Sequence, residues 1–229
     1  MSTPPRRDTR LPAKLAVAYR TQGAFLVSYS VNLSRGGIFI ESETSLPIGT
    51  EVALRLEVPN VGAFDLAGVV AWIRQASPDG MPDGMGFQLH DLDERYGAAI
   101  DKMVQEFEGL TVLVLAGTPE RLTQLGRYVR SIISCEVLEA MSLEEAEVAL
   151  AGEPDLVILD IERAASLSAR TVEQLRRVSA APVILLSSDL GARELGRSDG
   201  ADEVLETPPS FQALQAAVIR TLSRPAKIG

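Results

Sequence analysis

From residue 15 to about residue 89, apolar and polar positions alternate with a period of two, the mark of strands that bury one face. Val52, Leu54, Leu56 and Val58 fall on one side of a segment whose other side carries Glu51, Arg55 and Glu57. Further strands are predicted near residues 15–20, 25–32, 37–41, 64–74 and 85–89. Turn-forming clusters separate them: L-P-I-G at 46–49, P-N-V-G at 59–62 and S-P-D-G-M-P-D-G at 77–84. Six short strands with no long helix among them predict an antiparallel sheet. Closure into a small six-stranded barrel is the economical way to remove its exposed edges.

The period then changes. Tyr96, Ile100, Met103, Val104 and Phe107 recur at helical spacing, with Asp91 or Asp93 placed as N-cap and Gly109 suited to the stop. A buried, β-branched strand starts at once at residue 110, so the boundary between two domains is predicted at residue 109. Beyond it, apolar strands near 111–115, 135–138, 156–160, 182–186 and 203–205 alternate with amphipathic helices near 119–132, 143–151, 169–178, 192–196 and 211–222. Five β/α repeats predict a doubly wound five-stranded parallel sheet. The fold class is therefore an all-β barrel with a C-terminal helix over 1–109, followed by an α/β domain over 110–229.

Composition narrows the chemistry. The 229 residues are 46% hydrophobic, enough for two cores, and carry a net charge of −9. One cysteine rules out a disulfide scaffold, and the lone histidine, His90, removes multi-histidine metal sites and most Ser-His or Cys-His catalysis. His90 has no evident partner and reads as structural or solvent-facing. No Walker A sequence, metal-ligand cluster or triad candidate is present, so an enzyme is not expected. The N-terminus lacks the apolar stretch of a signal peptide, and the longest apolar run, around residues 110–116, is far below the ~18–20 residues that span a bilayer. The expectation is a cytoplasmic protein with no membrane insertion.

Charge is uneven along the chain. Five basic residues against Asp8 alone give the first twenty residues a net +4, which leaves −13 on the rest. An acidic body with a short basic arm argues against wrapping a long nucleic acid and for a compact anionic ligand.

Two motifs sharpen that reading. Residues 6–10, R-R-D-T-R, contain R-x-x-x-R; residues 32–37, N-L-S-R-G-G, read N-x-S-x-x-G. In this order, at the head of a β pattern, and with L-P-I-G-T, G-V-V-A-W and G-M-G-F following, the first half resembles the PilZ domain. The resemblance covers residues 5–107 and implies a receptor for the bacterial second messenger cyclic di-GMP. It implies Arg6, Arg7, Arg10, Asn32, Ser34 and Gly37 as ligand-binding residues. The residue types suit that ligand: guanidinium groups offer planar donor pairs to phosphate oxygens and to guanine N7 and O6, and a flat face for a base. Asn32 supplies an amide and Ser34 a hydroxyl. Gly37 either lacks a side chain that would block close approach of the base or supplies a positive φ for the turn. Trp72 reads as lying on the surface or rim of the barrel.

The second half resembles a response-regulator receiver. D-L-V-I-L-D, ending at Asp160, matches the strand that carries the phosphoacceptor aspartate. P-V-I-L-L-S, ending at Ser187, matches the strand with the switch hydroxyl, and the G-A-D-E-V-L-E-T-P stretch ends where receivers have Lys-Pro. Two departures stand out. Ala116 and Gly117 occupy the place of the acidic pair that holds magnesium, and Thr207 that of the lysine. The resemblance thus implies a pseudo-receiver with Asp160 as a vestigial phosphoacceptor and no metal. Receivers often associate through their last helix, which makes residues 211–222 a candidate surface. The whole chain is expected to relay cyclic di-GMP binding to a protein partner, or to self-associate, in motility, pilus or exopolysaccharide and biofilm control. The alternative is a nucleotide-independent interaction scaffold.

Overall fold

The structure, a computed structural model, describes residues 13–32, 37–42, 44–58, 60–75, 83–90, 94–164, 166–224 and 226–227. The first half runs β1 (Ala13–Ala18), α1 (Gln22–Asn32), β2 (Gly37–Glu41), β3 (Glu51–Val58), β4 (Gly62–Arg74), β5 (Gly84–His90) and α2 (Glu94–Glu106). The second runs β6 (Leu110–Ala116), α3 (Pro119–Ile132), β7 (Cys135–Ala140), α4 (Leu143–Leu150), β8 (Leu156–Asp160), α5 (Thr171–Val178), β9 (Val183–Leu186), α6 (Leu190–Ser198), β10 (Glu203–Leu205), α7 (Phe211–Ser223) and β11 (Ala226–Lys227).

Two expectations for the first half are corrected. Residues 25–32 are not a strand; they lie in α1. Thr21 starts the helix by accepting the Ala24 N–H on its hydroxyl at 3.0 Å and the Phe25 N–H on its carbonyl at 3.2 Å. The helix then buries Ala24, Phe25 and Ser28 in the first core while Val27 packs against the second. A helix covered on two sides loses the one-sided apolar stripe by which a helix is read, and its F-L-V-S-Y-S-V run mimics strand alternation.

The second correction follows from the first. With α1 in place of a strand, the described residues of the first half contribute five strands, and these form a curled half-barrel sheet rather than the expected six-stranded antiparallel barrel. The sheet order is β11-β1-β3-β4-β5-β2, with β1 parallel to β3 and the other pairs antiparallel. The sixth position belongs to β11, which returns from the end of the chain to pair with β1. The inner face carries Val52, Leu54, Leu56, Val70 and Phe87. Phe25 from α1 and Tyr96, Ile100 and Met103 from α2 cover that face.

The second half is the predicted parallel sheet, in the order β10-β9-β8-β6-β7. Renumbered within this half the order is 5-4-3-1-2, the flavodoxin-like winding. Residues 112–116 and 156–160 are fully buried on both sides, which is why these strands read as continuous apolar runs rather than alternating ones. Ser and Thr caps start three of the helices: Thr118 accepts the Arg121 N–H, Ser142 the Glu145 N–H and Ser210 the Ala213 N–H.

The halves touch through α1. It packs on α7, and a Cβ at Gly23 would lie 2.4 Å from Asp155 Oδ1 and 2.5 Å from Leu110, so only glycine allows this approach. Just before α1, Arg20 donates to Asp202 at 2.8 Å. The same carboxylate accepts from Arg176 and, at 2.8 Å, from the Val183 N–H.

Candidate functional site

Of the six residues that the sequence nominates for a ligand, Arg6, Arg7, Arg10 and Ser34 lie outside the described residues. Asn32 is the last residue of α1 and Gly37 the first of β2, so the N-x-S-x-x-G motif spans the junction between helix and strand. A Cβ on Gly37 would sit 2.7 Å from the Phe87 carbonyl oxygen across the strand pair. Close approach of β5, rather than a left-handed backbone, accounts for glycine here.

Pairing sets Gly37, Phe39 and Glu41 opposite Gln88, Gly86 and Gly84, with Phe39 on the outer face of the sheet. Trp72 and Arg74 of β4 face the same two glycines from the other side, past a bulge between Val70 and Trp72. Phe39 and Trp72 stack with their planes 10° apart and centroids 5.2 Å apart, and the Arg74 guanidinium lies 4.4 and 5.1 Å from the two centroids. The glycines make room: a Cβ at Gly86 would fall 2.1 Å from the Trp72 ring, and one at Gly84 2.5 Å from Phe39. Trp72 remains 42% exposed, the outward placement expected for it. The outcome is a flat, partly exposed aromatic and cationic surface one row along from the motif glycine. The sequence signals were G-M-G and a strand tryptophan; their pairing was not readable from spacing. His90 is exposed at the end of β5.

At the carboxyl edge of the second sheet, Asp160 is completely buried. Arg121 Nε donates to Asp160 Oδ2 at 2.7 Å, and Arg121 Nη2 donates to the same oxygen and, at 2.5 Å, to Thr207 Oγ1. Arg121 Nη1 donates to Gln124 at 2.9 Å, and the other Asp160 oxygen accepts the Glu162 N–H at 2.9 Å. Glu162 in turn accepts from the N–H and hydroxyl of Ser188 at 2.8 and 2.7 Å, bonds that hold its carboxyl below the usual range. Ser187, nominated as the switch position, accepts the Asp189 N–H at 3.1 Å.

Arg121 escaped the sequence reading. Its signal was an arginine in the first turn of a helix, where the dipole disfavours a cation, placed just after a strand end. A buried anion is what compensates such a placement.

The family model of the PilZ domain matches residues 4–106. The first half of the chain is a PilZ domain. No curated protein matches the chain. Among solved structures, the second half is similar to receivers. A two-component response regulator from Clostridium difficile aligns at 19% identity and TM-score 0.46 over 50% of this chain and 97% of that one. A response regulator receiver domain protein from Clostridium thermocellum aligns at 23% and 0.45 over 50% and 94%. The receiver domain of a DNA-binding response regulator from Colwellia psychrerythraea 34H aligns at 16% and 0.46 over 50% and 99%. Among the described residues, no group of histidine, cysteine, aspartate and glutamate is arranged to hold a metal ion, and no helix is long and apolar enough to cross a membrane.

Proposed function

We propose that this PilZ protein is a cyclic di-GMP receptor that passes ligand binding to a protein partner through its receiver-like half. The observation that carries the reading is the ordered pair of R-x-x-x-R and N-x-S-x-x-G motifs within the PilZ match, the second of them at the junction of α1 and β2. Arg6, Arg7 and Arg10 supply charge-assisted donors to the phosphodiesters and guanine edges; Asn32 and Ser34 supply the neutral hydrogen bonds. Each charge-assisted bond contributes roughly 1.5–3 kcal/mol, and micromolar affinity needs about 8 kcal/mol net. Loss of a single arginine is therefore expected to weaken binding tenfold to a hundredfold or more.

The placement of α1 supports the relay. Its last residue opens the ligand motif, and its body rests on α7. A ligand that prefers one setting of the junction thereby biases how α1 sits on the second half. The output is a regulatory contact, made by the receiver-like half with a partner or a second copy in the cytoplasm, rather than a catalysed reaction. Motility, pilus function and exopolysaccharide or biofilm control are the processes it fits.

Calorimetry on the intact chain tests the site. Arg10→Ala is expected to abolish detectable micromolar binding of cyclic di-GMP while the melting temperature stays unchanged. Unaltered affinity in that variant contradicts the assignment.

A further inference from the structure

Doubly wound α/β sheets carry their chemistry at the carboxyl ends of the strands, and a receiver uses that edge for a divalent cation and a phosphoryl group on aspartate. The residues present here fit neither. Asp160 is enclosed, with Oδ2 in a charge-assisted pair with Arg121 and Oδ1 taken by the Glu162 N–H. Ala116, its partner in register on β6, offers no oxygen ligand from its side chain. At position 117 a side chain is excluded outright, because a Cβ on Gly117 would lie 2.5 Å from Ala164 Cα and 2.8 Å from its nitrogen. A carboxylate cannot be restored there unless the segment after β8 moves.

We propose that Arg121 is a built-in counter-cation that takes the place of both the metal and the lysine of a working receiver. The second half then accepts no phosphoryl group at Asp160, does not respond to magnesium, and keeps one arrangement of its edge loops.

Charge and geometry both favour this. The guanidinium neutralises the buried carboxylate from the side of α3, and a second cation approaching Asp160 meets a like charge. The same guanidinium reaches Thr207, so one residue ties the turn after β6 to the ends of β8 and β10. The turn after β9 is tied independently, through Ser188 to Glu162. Ser187 keeps its hydroxyl in a local bond to the Asp189 N–H. Four of the five connections at this edge, those after β6, β8, β9 and β10, are thus strapped together by the protein's own side chains. The inference does not depend on nucleotide binding by the PilZ half.

Two measurements on the full chain test it. The first incubates the wild-type protein with acetyl phosphate and magnesium and reads the intact mass and the melting curve. No phosphoryl adduct and an unchanged curve are expected, and an adduct on Asp160 overturns the proposal. The second compares melting of Arg121→Met, Asp160→Asn and the double variant. Breaking a buried pair from the arginine side leaves an uncompensated carboxylate, so Arg121→Met is expected to lower Tm by roughly 6–20 °C. Asp160→Asn is expected to lower it less, because the Arg121 side chain is 18% exposed and reaches water. The double variant is expected to recover most of the Arg121→Met loss. A Tm for Arg121→Met within about 2 °C of wild type, or additive losses in the double variant, overturns the pair as the device. If Arg121→Met fails to fold, the wild-type phosphoryl assay still decides.

Discussion

Tyr19 shows how much a single side chain does at the seam between β1 and α1. Its ring meets Phe25 edge to face with centroids 5.2 Å apart, and its hydroxyl shares a 2.8 Å hydrogen bond with Ser28. Burial pushes the phenol from 10.0 up to about 12, against the smaller opposing effect of the Ser28 bond. Below pH 10 the phenol is protonated in both folded and unfolded chains and adds no pH dependence. Between about 10 and about 12 the unfolded chain ionises while the folded one holds its proton, so stability falls as pH rises through that window. The expected loss is about 3 kcal/mol. Denaturant melts of wild type and Tyr19→Phe from pH 8 to 12 isolate it: the variant is about 1 kcal/mol less stable at neutral pH and lacks this alkaline decline. Equal declines in both proteins contradict the assignment. At this scale the sequence was partly legible. Asp160 announced itself by matching a pattern, and Thr207 by departing from it. Arg121 did not, because its role exists only once α3 folds back over the end of β8.

Among the elements, α1 is where pattern reading and structure part most clearly. The parallel strands β6, β8 and β9 were readable because burial on both faces leaves an unbroken apolar signature. The antiparallel β3 was readable because burial on one face leaves alternation. α1 has neither, since one side belongs to the sheet core and another to the second half. The same double burial is what the proposed relay uses. Arg20 anchors the segment before it to Asp202, a network in which burial draws the Arg176 guanidinium below its usual range while Asp202 opposes that shift. The Arg20 side chain is 31% exposed, so the pair contributes only about 1 kcal/mol and its removal is a mild perturbation. Arg20→Ala is expected to keep cyclic di-GMP affinity within about threefold. It is also expected to lose most of the ligand-dependent change in hydrogen exchange over residues 211–223, the span of α7. An undiminished exchange response in the variant, or none in wild type despite binding, contradicts a relay through α1.

For the whole molecule, the two halves are joined more closely than two periodicities in series suggest. The direct step from α2 to β6 was visible in the sequence; the return of β11 to β1 was not, because a two-residue strand has no pattern of its own. Charge adds a second global feature: a +4 N-terminal segment on a chain whose remainder is −13 is suited to a small dianion and ill suited to a polyanion. Attraction of that kind weakens with salt, since screening acts over about 10 Å at 0.1 M ionic strength. On the proposed function, the signal enters through the PilZ half. Isothermal titration of the intact chain with cyclic di-GMP, with GTP as control, tests that claim most directly. The account predicts saturable binding with Kd near or below ~10 μM for cyclic di-GMP and none for GTP. No heat of binding from cyclic di-GMP at ~100 μM, or equal binding of GTP, contradicts it.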